Sequence, residues 1–422
     1  MRRHRGMAWG SWHDRELIDV RRQAGADSVH QARPLNLVRA HAGAERVTNI
    51  ELFFDLVYVF AVTQISHYLL AHPTVTGALR SGLLLAMIWL IWAYTTWVTN
   101  WLDPEKIAVR LLLLVLAGAS LIMSAVLPGA FATRGLAVGI AYAGMQIGRS
   151  AFAVIALRGR PLQRNYQRIL AWCLVSGALA LVGGLVAPDL RAGLWVGAVF
   201  VDVLGGAVGF YTPVLGRSTT QEWTIEGTHF AERCQAFILI ALGESIIVIG
   251  ATLSGLAHIS GAEIGAVAVA LVGSAGLWWI YFDRSADEAE KVIAASDDPG
   301  RLGRSAYHLI HPVMVAGIIV GAAADELTVS DPTAPASGPV AWMILGGVGL
   351  FLAGHAAFKA VIWRTVSWTR VAGVVVLALL GLAAPHLSAV ALGGCTAAVV
   401  LLVAASDYRH RSAGEAEGDP AP

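Results

Sequence analysis

Charge is scarce in this chain, and lysine and cysteine are scarcer still. Charged residues fill 14% of the 422 positions while apolar residues fill 56%, so a soluble fold would lack the polar surface needed to cover its core. The three cysteines, Cys173, Cys234 and Cys395, stand in or beside apolar runs with no C-x-x-C spacing. They read as packed thiols, not as a disulfide or metal framework. Lysine occurs only at Lys106, Lys291 and Lys359, so the basic charge is almost all arginine. No P-loop and no H-E-x-x-H occurs, which leaves no signature of a nucleotide-binding or zinc hydrolase enzyme. A base-stacking platform is also missing. Trp101, Trp278, Trp279, Trp363 and Trp368 stand at the ends of apolar runs, where tryptophan anchors helices at the lipid–water boundary. No cofactor and no nucleic-acid partner is therefore expected. The partners indicated are the lipid bilayer and an ion or small-molecule substrate, and the oligomeric state stays open.

What the chain has instead is a succession of apolar runs of about 20 residues, each able to cross the ~30 Å hydrocarbon layer. They fall at roughly 50–71, 80–100, 108–127, 135–157, 168–187, 192–211, 234–254, 261–282, 305–324, 339–363, 369–386 and 388–405. The expected fold is an all-α polytopic integral membrane protein of about twelve transmembrane helices. Residues 1–46 form a polar, Arg-rich arm without the apolar stretch and cleavage site of a signal peptide. The arm is expected to be disordered and cytoplasmic, close to anionic lipids. Two membrane halves follow, 47–211 and 234–406, joined by a cytoplasmic connection at 212–233 and ended by a disordered tail at 407–422.

Charge placement supports this plan independently. With the N-terminus inside, the cytoplasmic segments hold Lys106, Arg158, Arg160, Arg164, Arg168, Arg217, Arg233, Arg284, Lys291, Arg301, Arg304, Arg364 and Arg370, while external segments hold only Arg80, Arg134 and Arg191. A missed or invented span would invert that alternation midway, so an inner-membrane protein with both termini cytoplasmic is expected.

A faint repeat relates the halves. Span 4 carries G-R-S-A-F-A-V-I-A-L-R from Gly148 to Arg158, and span 10 carries G-H-A-A-F-K-A-V-I-W-R from Gly354 to Arg364. Span 2 has Trp92-Ala93-Tyr94 where span 8 has Trp279-Ile280-Tyr281. The matches lie six spans apart, an even number, so the two six-helix halves are expected in parallel orientation.

Polar groups inside spans are costly and call for a partner, a wet cavity or a task. Span 1 places Glu51 and Asp55 on one face, with Gln64 and His67 roughly opposite. Span 4 brings Gln146 and Arg149 to a depth similar to that of Asp55, so Asp55 and Arg149 are expected to pair, as a buried lock or as a gate. Asp202 is a mid-membrane carboxylate in span 6. Glu232 and Arg233 stand at the edge of span 7, and Glu244 lies well inside it, too far along the axis to reach Arg233. Its expected partner is His355 or Lys359 of span 10. His308 and His311, followed by Pro312, open span 9. Two histidines at this spacing can share a metal, but no acid or thiol accompanies them, so the reading is hydrogen bonding in a kinked helix, with a carbonyl freed by the proline.

Two segments carry a resemblance. Glu51 to His67, E-L-F-F-D-L-V-Y-V-F-A-V-T-Q-I-S-H, and the pair H-F-A-E-R (His229 to Arg233) and F-I-L-I-A-L-G-E-S (Phe237 to Ser245) are similar to the bacterial low temperature requirement A proteins, as is R-V-T-N-I just before. The resemblance spans about residues 46 to 405 and implies a bacterial inner-membrane protein with many spans, named for growth in the cold. It implies no substrate and no catalytic residue. More loosely, the E-R-x-x-x-F start of span 7 resembles lysosomal-type potassium channels built from paired six-helix repeats, although no motif repeats identically in both halves. Ionisable groups at matched depth favour a transporter or channel for an ion or small solute, with Glu244 able to exchange a proton, and not an enzyme. The alternatives are a membrane-embedded enzyme acting on lipid, or a structural or lipid-sensing protein. A cavity between the halves would favour transport, and a lipid-facing cleft an enzyme.

Overall fold

The computed structural model describes residues 36–39, 47–222, 225–336 and 338–416. Among the described residues, twelve helices are long and apolar enough to cross a membrane: α1 (Asn49–Ala71), α2 (Val75–Trp101), α3 (Ile107–Val126), α4 (Gly135–Ala156), α5 (Leu162–Leu185), α6 (Pro188–Ala207), α7 (Gly227–Gly255), α8 (Gly261–Phe282), α9 (Pro299–Ser330), α10 (Pro339–Trp363), α11 (Trp368–Ala383) and α12 (Ala389–Ala416). The chain is thus an all-α polytopic membrane protein. Hydropathy locates the hydrocarbon-spanning core of each helix, whereas backbone hydrogen bonding runs on into the polar interface. For that reason α2, α5, α7 and α9 begin several residues earlier than their apolar runs, and α12 continues to Ala416 in place of a disordered tail from 407. Residues 417–422 of that expected tail lie outside the described residues.

The expected disorder of the arm at 1–35 and 40–46 also lies outside the described residues. Its short described stretch is ordered: Val38 bridges Leu102, and Arg39 N donates to Trp101 O at 3.0 Å. Trp101 is consequently buried and is no interface anchor, while Trp278, Trp279 and Trp368 are exposed as expected. The outer surface is apolar, with Leu111, Val115 and Ile122 on α3 and Leu379 and Leu382 on α11 among the exposed side chains. Such a surface is stable against lipid and not against water.

Helix neighbours repeat between the halves. In the first, α1 packs on α2 and α3, α3 on α4, α4 on α5, α5 on α6, and α6 on α2. In the second, α7 packs on α8 and α9, α9 on α10, α10 on α11, α11 on α12, and α12 on α8. The seam is formed by α1 against α7 and α9. Small residues permit the tightest crossings: a Cβ on Gly317 of α9 would stand 2.6 Å from Phe351 N of α10, and one on Gly139 of α4 would stand 2.5 Å from Ala180 O of α5. Odd-numbered helices start, and even-numbered ones finish, at one end of the bundle, hereafter the basic end because most arginines outside the spans lie there.

Candidate functional site

Polar clusters lie inside the bundle, and they differ in how completely their groups are satisfied. The first is at the seam. Arg233 of α7 forks onto Asp55, with Nε to Oδ2 at 2.7 Å and Nη2 to Oδ1 at 2.5 Å, and its Nη1 reaches Glu51 Oε1 at 3.0 Å. Trp92 Nε1 donates to Asp55 Oδ1 at 2.6 Å. Glu51 also meets His229 Nε2 at 3.0 Å, accepts from Thr48 N and Oγ1 at the start of α1, and lies 3.6 Å from Arg39 Nη2. The expected pair of Asp55 with Arg149 is therefore replaced by Asp55 with Arg233. Depth along the membrane was matched, but α3 lies between α1 and α4, so the acidic face of α1 turns to α7. Glu232 accepts from Val47 N at 3.1 Å and ties the entry of α1 to α7. Two carboxylates and two arginines pair with one another in this network.

The second cluster lines a cavity of about 480 Å³ at the basic end, walled by α2, α4, α5, α6, residues 208–220 and the start of α9. Arg149 is fully buried there. It donates to Gln146 Oε1 at 2.6 Å and to the Ile91 carbonyl at 3.2 Å, and its guanidinium stands 5.1 Å from the centre of the Tyr94 ring. Its Nε has no hydrogen-bond partner. Gln146 Nε2 donates to Asp202 Oδ2 at 2.6 Å, and Tyr142 donates to the same oxygen at 2.5 Å. One amide thus links arginine to carboxylate without direct contact. Arg217 and Arg304 also line the cavity. Arg217 is held by a tight turn: Thr212 and Gly216 exchange backbone hydrogen bonds, and Arg168 donates to the Leu215 carbonyl at 2.5 Å. Gly209, at φ +67°, lets Ser218 N reach its carbonyl at 2.8 Å; a Cβ there would collide with Ser218 O.

The start of α9 is a π-helical segment, Gly303–Ile310, that precedes His311 and Pro312. Pro312 has no N–H for the His308 carbonyl, and Trp89 Nε1 donates to that oxygen at 2.7 Å, as the freed-carbonyl expectation required. The wider winding turns the two histidines to different neighbours. His308 lines the cavity, its ring 5.6 Å from that of Tyr94. His311 Nε2 meets the Tyr281 hydroxyl at 2.7 Å on the far side.

The third cluster surrounds Glu244, which accepts from Thr63 of α1 at 2.6 Å through Oε2, while its buried Oε1 has no partner. His67 is exposed and Gln64 half-buried, so the second polar face of α1 is only partly enclosed by protein. The expected partners His355 and Lys359 lie elsewhere, because α10 packs on α9, α11 and α12. His355 Nδ1 accepts from Arg370 Nε at 2.7 Å, and Lys359 stands over the Trp363 ring at 5.5 Å. Lys359 borders a second cleft, walled by α8, α10, α11 and α12, where Arg370 pairs with Asp407 at 2.6 Å.

The residues missed from sequence were Arg39, His229 and Trp92 at the seam, Thr63 beside Glu244, and Arg217 and Arg304 in the cavity. The two cavity arginines had counted only as orienting charges. A signal was present in Thr212-Pro213-Val214-Leu215-Gly216-Arg217-Ser218, a turn-forming run followed by a cation and a hydroxyl.

The bacterial low temperature requirement A (LtrA) family matches residues 46–405, which include every helix from α1 to α11 and most of α12. An uncharacterized protein of Rhizobium meliloti (strain 1021) is 35% identical over 365 residues, covering 85% of this chain and 88% of that protein. No solved structure matches. The acidic face of α1 and the H-F-A-E-R start of α7, which carried the resemblance, are the two sides of the ion network at the seam. The match over nearly the whole membrane bundle makes this chain a member of the bacterial low temperature requirement A family.

Proposed function

We propose that the protein carries an ion or small solute across a bacterial inner membrane, with the cavity at the basic end as the solute site. The observation behind this reading is the contrast between the two deep polar clusters near that end. The seam is closed, every charge having an opposite charge in contact, so it holds the halves together. The cavity has space, and a buried arginine on its wall with an unused donor. Its walls come from four helices of the first half and are completed by the start of α9 of the second. The positive-inside rule directs the basic end, and with it both termini, to the cytoplasm.

The reading as a binding site and not a catalytic one is supported by Asp202. Its Oδ2 is held by two donors, Tyr142 and Gln146, which fixes the carboxylate in place, while its buried Oδ1 has no partner. Glu244 is the group we propose for proton coupling: it is buried near the middle of α7 with one free oxygen and one hydroxyl partner. Flux in proteoliposomes across a panel of ions and small solutes tests the proposal. Uptake that is lost in Arg149→Gln and loses its pH dependence in Glu244→Gln is the expected result. Absence of flux for every solute from correctly folded wild-type protein would sink it.

A further inference from the structure

The cavity at the basic end has a charge composition that selects the class of its occupant. Its walls carry three arginines, Arg149, Arg217 and Arg304, against one carboxylate, Asp202. Asp202 is already bridged to Arg149 through Gln146. Among the described residues, none of the three arginines has a carboxylate within ion-pair distance. Arg304 uses one nitrogen, Nη1, on the Gly206 carbonyl at 2.7 Å. Arg149 keeps its Nε unpaired although it is wholly buried. A buried guanidinium N–H without an acceptor is costly, and an anion in the cavity supplies that acceptor.

The second cleft is an internal comparison. It has a volume of about 350 Å³ and also carries three cations, Arg284, Lys359 and Arg370, but Asp283, Glu288 and Asp407 line it as well. Arg370 is paired with Asp407, and Arg284 with Glu288. Equivalent helices in the two halves thus enclose one neutral cleft and one with an excess of positive charge. The same fold does not require the excess; the occupant does.

We infer that the cavity binds an oxyanion, a phosphate-type or carboxylate-type group, held by Arg149, Arg217 and Arg304. Guanidinium forks match the paired oxygens of such groups and hold a spherical halide less well. The volume suits a small organic anion as readily as an inorganic one. A soluble phosphate and a phospholipid headgroup present the same chemistry. The inference deepens the reading of this cavity as the solute site and rests on it.

The test is equilibrium binding of radiolabelled inorganic phosphate to the full chain in nanodiscs of neutral phosphatidylcholine. Saturable binding, displaced by sulfate more strongly than by chloride at equal ionic strength, is the expected result. Arg217→Gln and Arg304→Gln should each weaken it by roughly tenfold or more, as loss of a charged hydrogen bond does, and Arg149→Gln should abolish it. Because Arg149→Gln removes a buried side chain, its unfolding midpoint is measured alongside, and the two variants nearer the mouth decide the case if it fails to fold. Arg284→Gln in the second cleft should leave binding unchanged. A second arm adds phosphatidic acid to the nanodiscs: displacement of phosphate assigns the site to a lipid headgroup, and no displacement assigns it to a soluble anion. No saturable phosphate binding, or binding indifferent to both Arg217→Gln and Arg304→Gln, overturns the inference. Phosphate binding without flux of any solute would overturn the transport reading alone, and cation flux without phosphate binding would overturn the oxyanion site alone.

Discussion

In the first half, the cleft between α2, α4, α5 and α6 surrounds Arg149 with a carbonyl and an amide oxygen. In the second half, the matching cleft between α8, α10, α11 and α12 surrounds Arg370 with a carboxylate, Asp407, and the ring of His355. The positions related by the repeat correspond: Arg149 lies over the Tyr94 ring, and His355 sits 6.1 Å from the Tyr281 ring centre. The helix arrangement and the aromatic neighbour are thus alike in the two halves, while the charge on each cleft differs. One cleft holds a closed ion pair, and the other has arginines without a carboxylate partner beside open space. A buried cation persists without a counter-charge only where something else offsets its desolvation. The lesson is that repeat symmetry identifies the scaffold and its violation identifies the site.

The comparison presumes that the halves form one body, so its most drastic failure would come from breaking the seam. Asp55→Asn removes the carboxylate that Arg233 forks onto, leaves Glu51 as its remaining counter-charge, and should cost up to about 3–5 kcal/mol. Combined with Arg233→Gln, the loss should be smaller than the sum of the two single losses, measured by thermal unfolding in detergent. Additive losses would mean that the two residues do not act as a pair.

A smaller effect sharpens the contrast between the clefts. Asp407→Asn should destabilise by roughly 1.5–3 kcal/mol, the worth of hydrogen bonds to a charged group. It should also give the second cleft a phosphate affinity it lacks in the wild type, since Arg370 is then released. A stable variant with no gained binding would show that charge alone does not distinguish the clefts.

The shared scaffold can be probed by filling a crossing in each half. Gly317→Ala in α9 and Gly139→Ala in α4 place a methyl group within 2.6 Å and 2.5 Å of backbone on the facing helix. Each should cost about 1–3 kcal/mol, as overpacking does. A loss in one half only would argue that the halves are not built alike. The least disruptive change is Arg217→Gln, exposed on its turn. The unfolding midpoint should stay where it is while phosphate binding weakens, and a shifted midpoint would make Arg217 a structural residue.

The number of long apolar helices among the described residues and their order were determined by the sequence alone. A 20-residue apolar run has few options in lipid, because every backbone group must be bonded within its own helix. The freed carbonyl before Pro312 followed in the same local way, since a missing N–H is a property of the chain. Partnership was decided only by the tertiary structure. Asp55 and Arg149 have matching depth, yet whether α1 turns its acids toward α4 or α7 depends on which helices touch, and one-dimensional spacing carries no such information. Glu244 met Thr63 and not His355 for the same reason. Arg217 and Arg304, apart in sequence and both near helix ends, line one cavity only because the chain at 209–218 folds back on itself and α9 winds as a π-helix at its start. Depth and periodicity are set within one helix, whereas the pairing of buried charges is set between helices, by close packing that no single segment encodes.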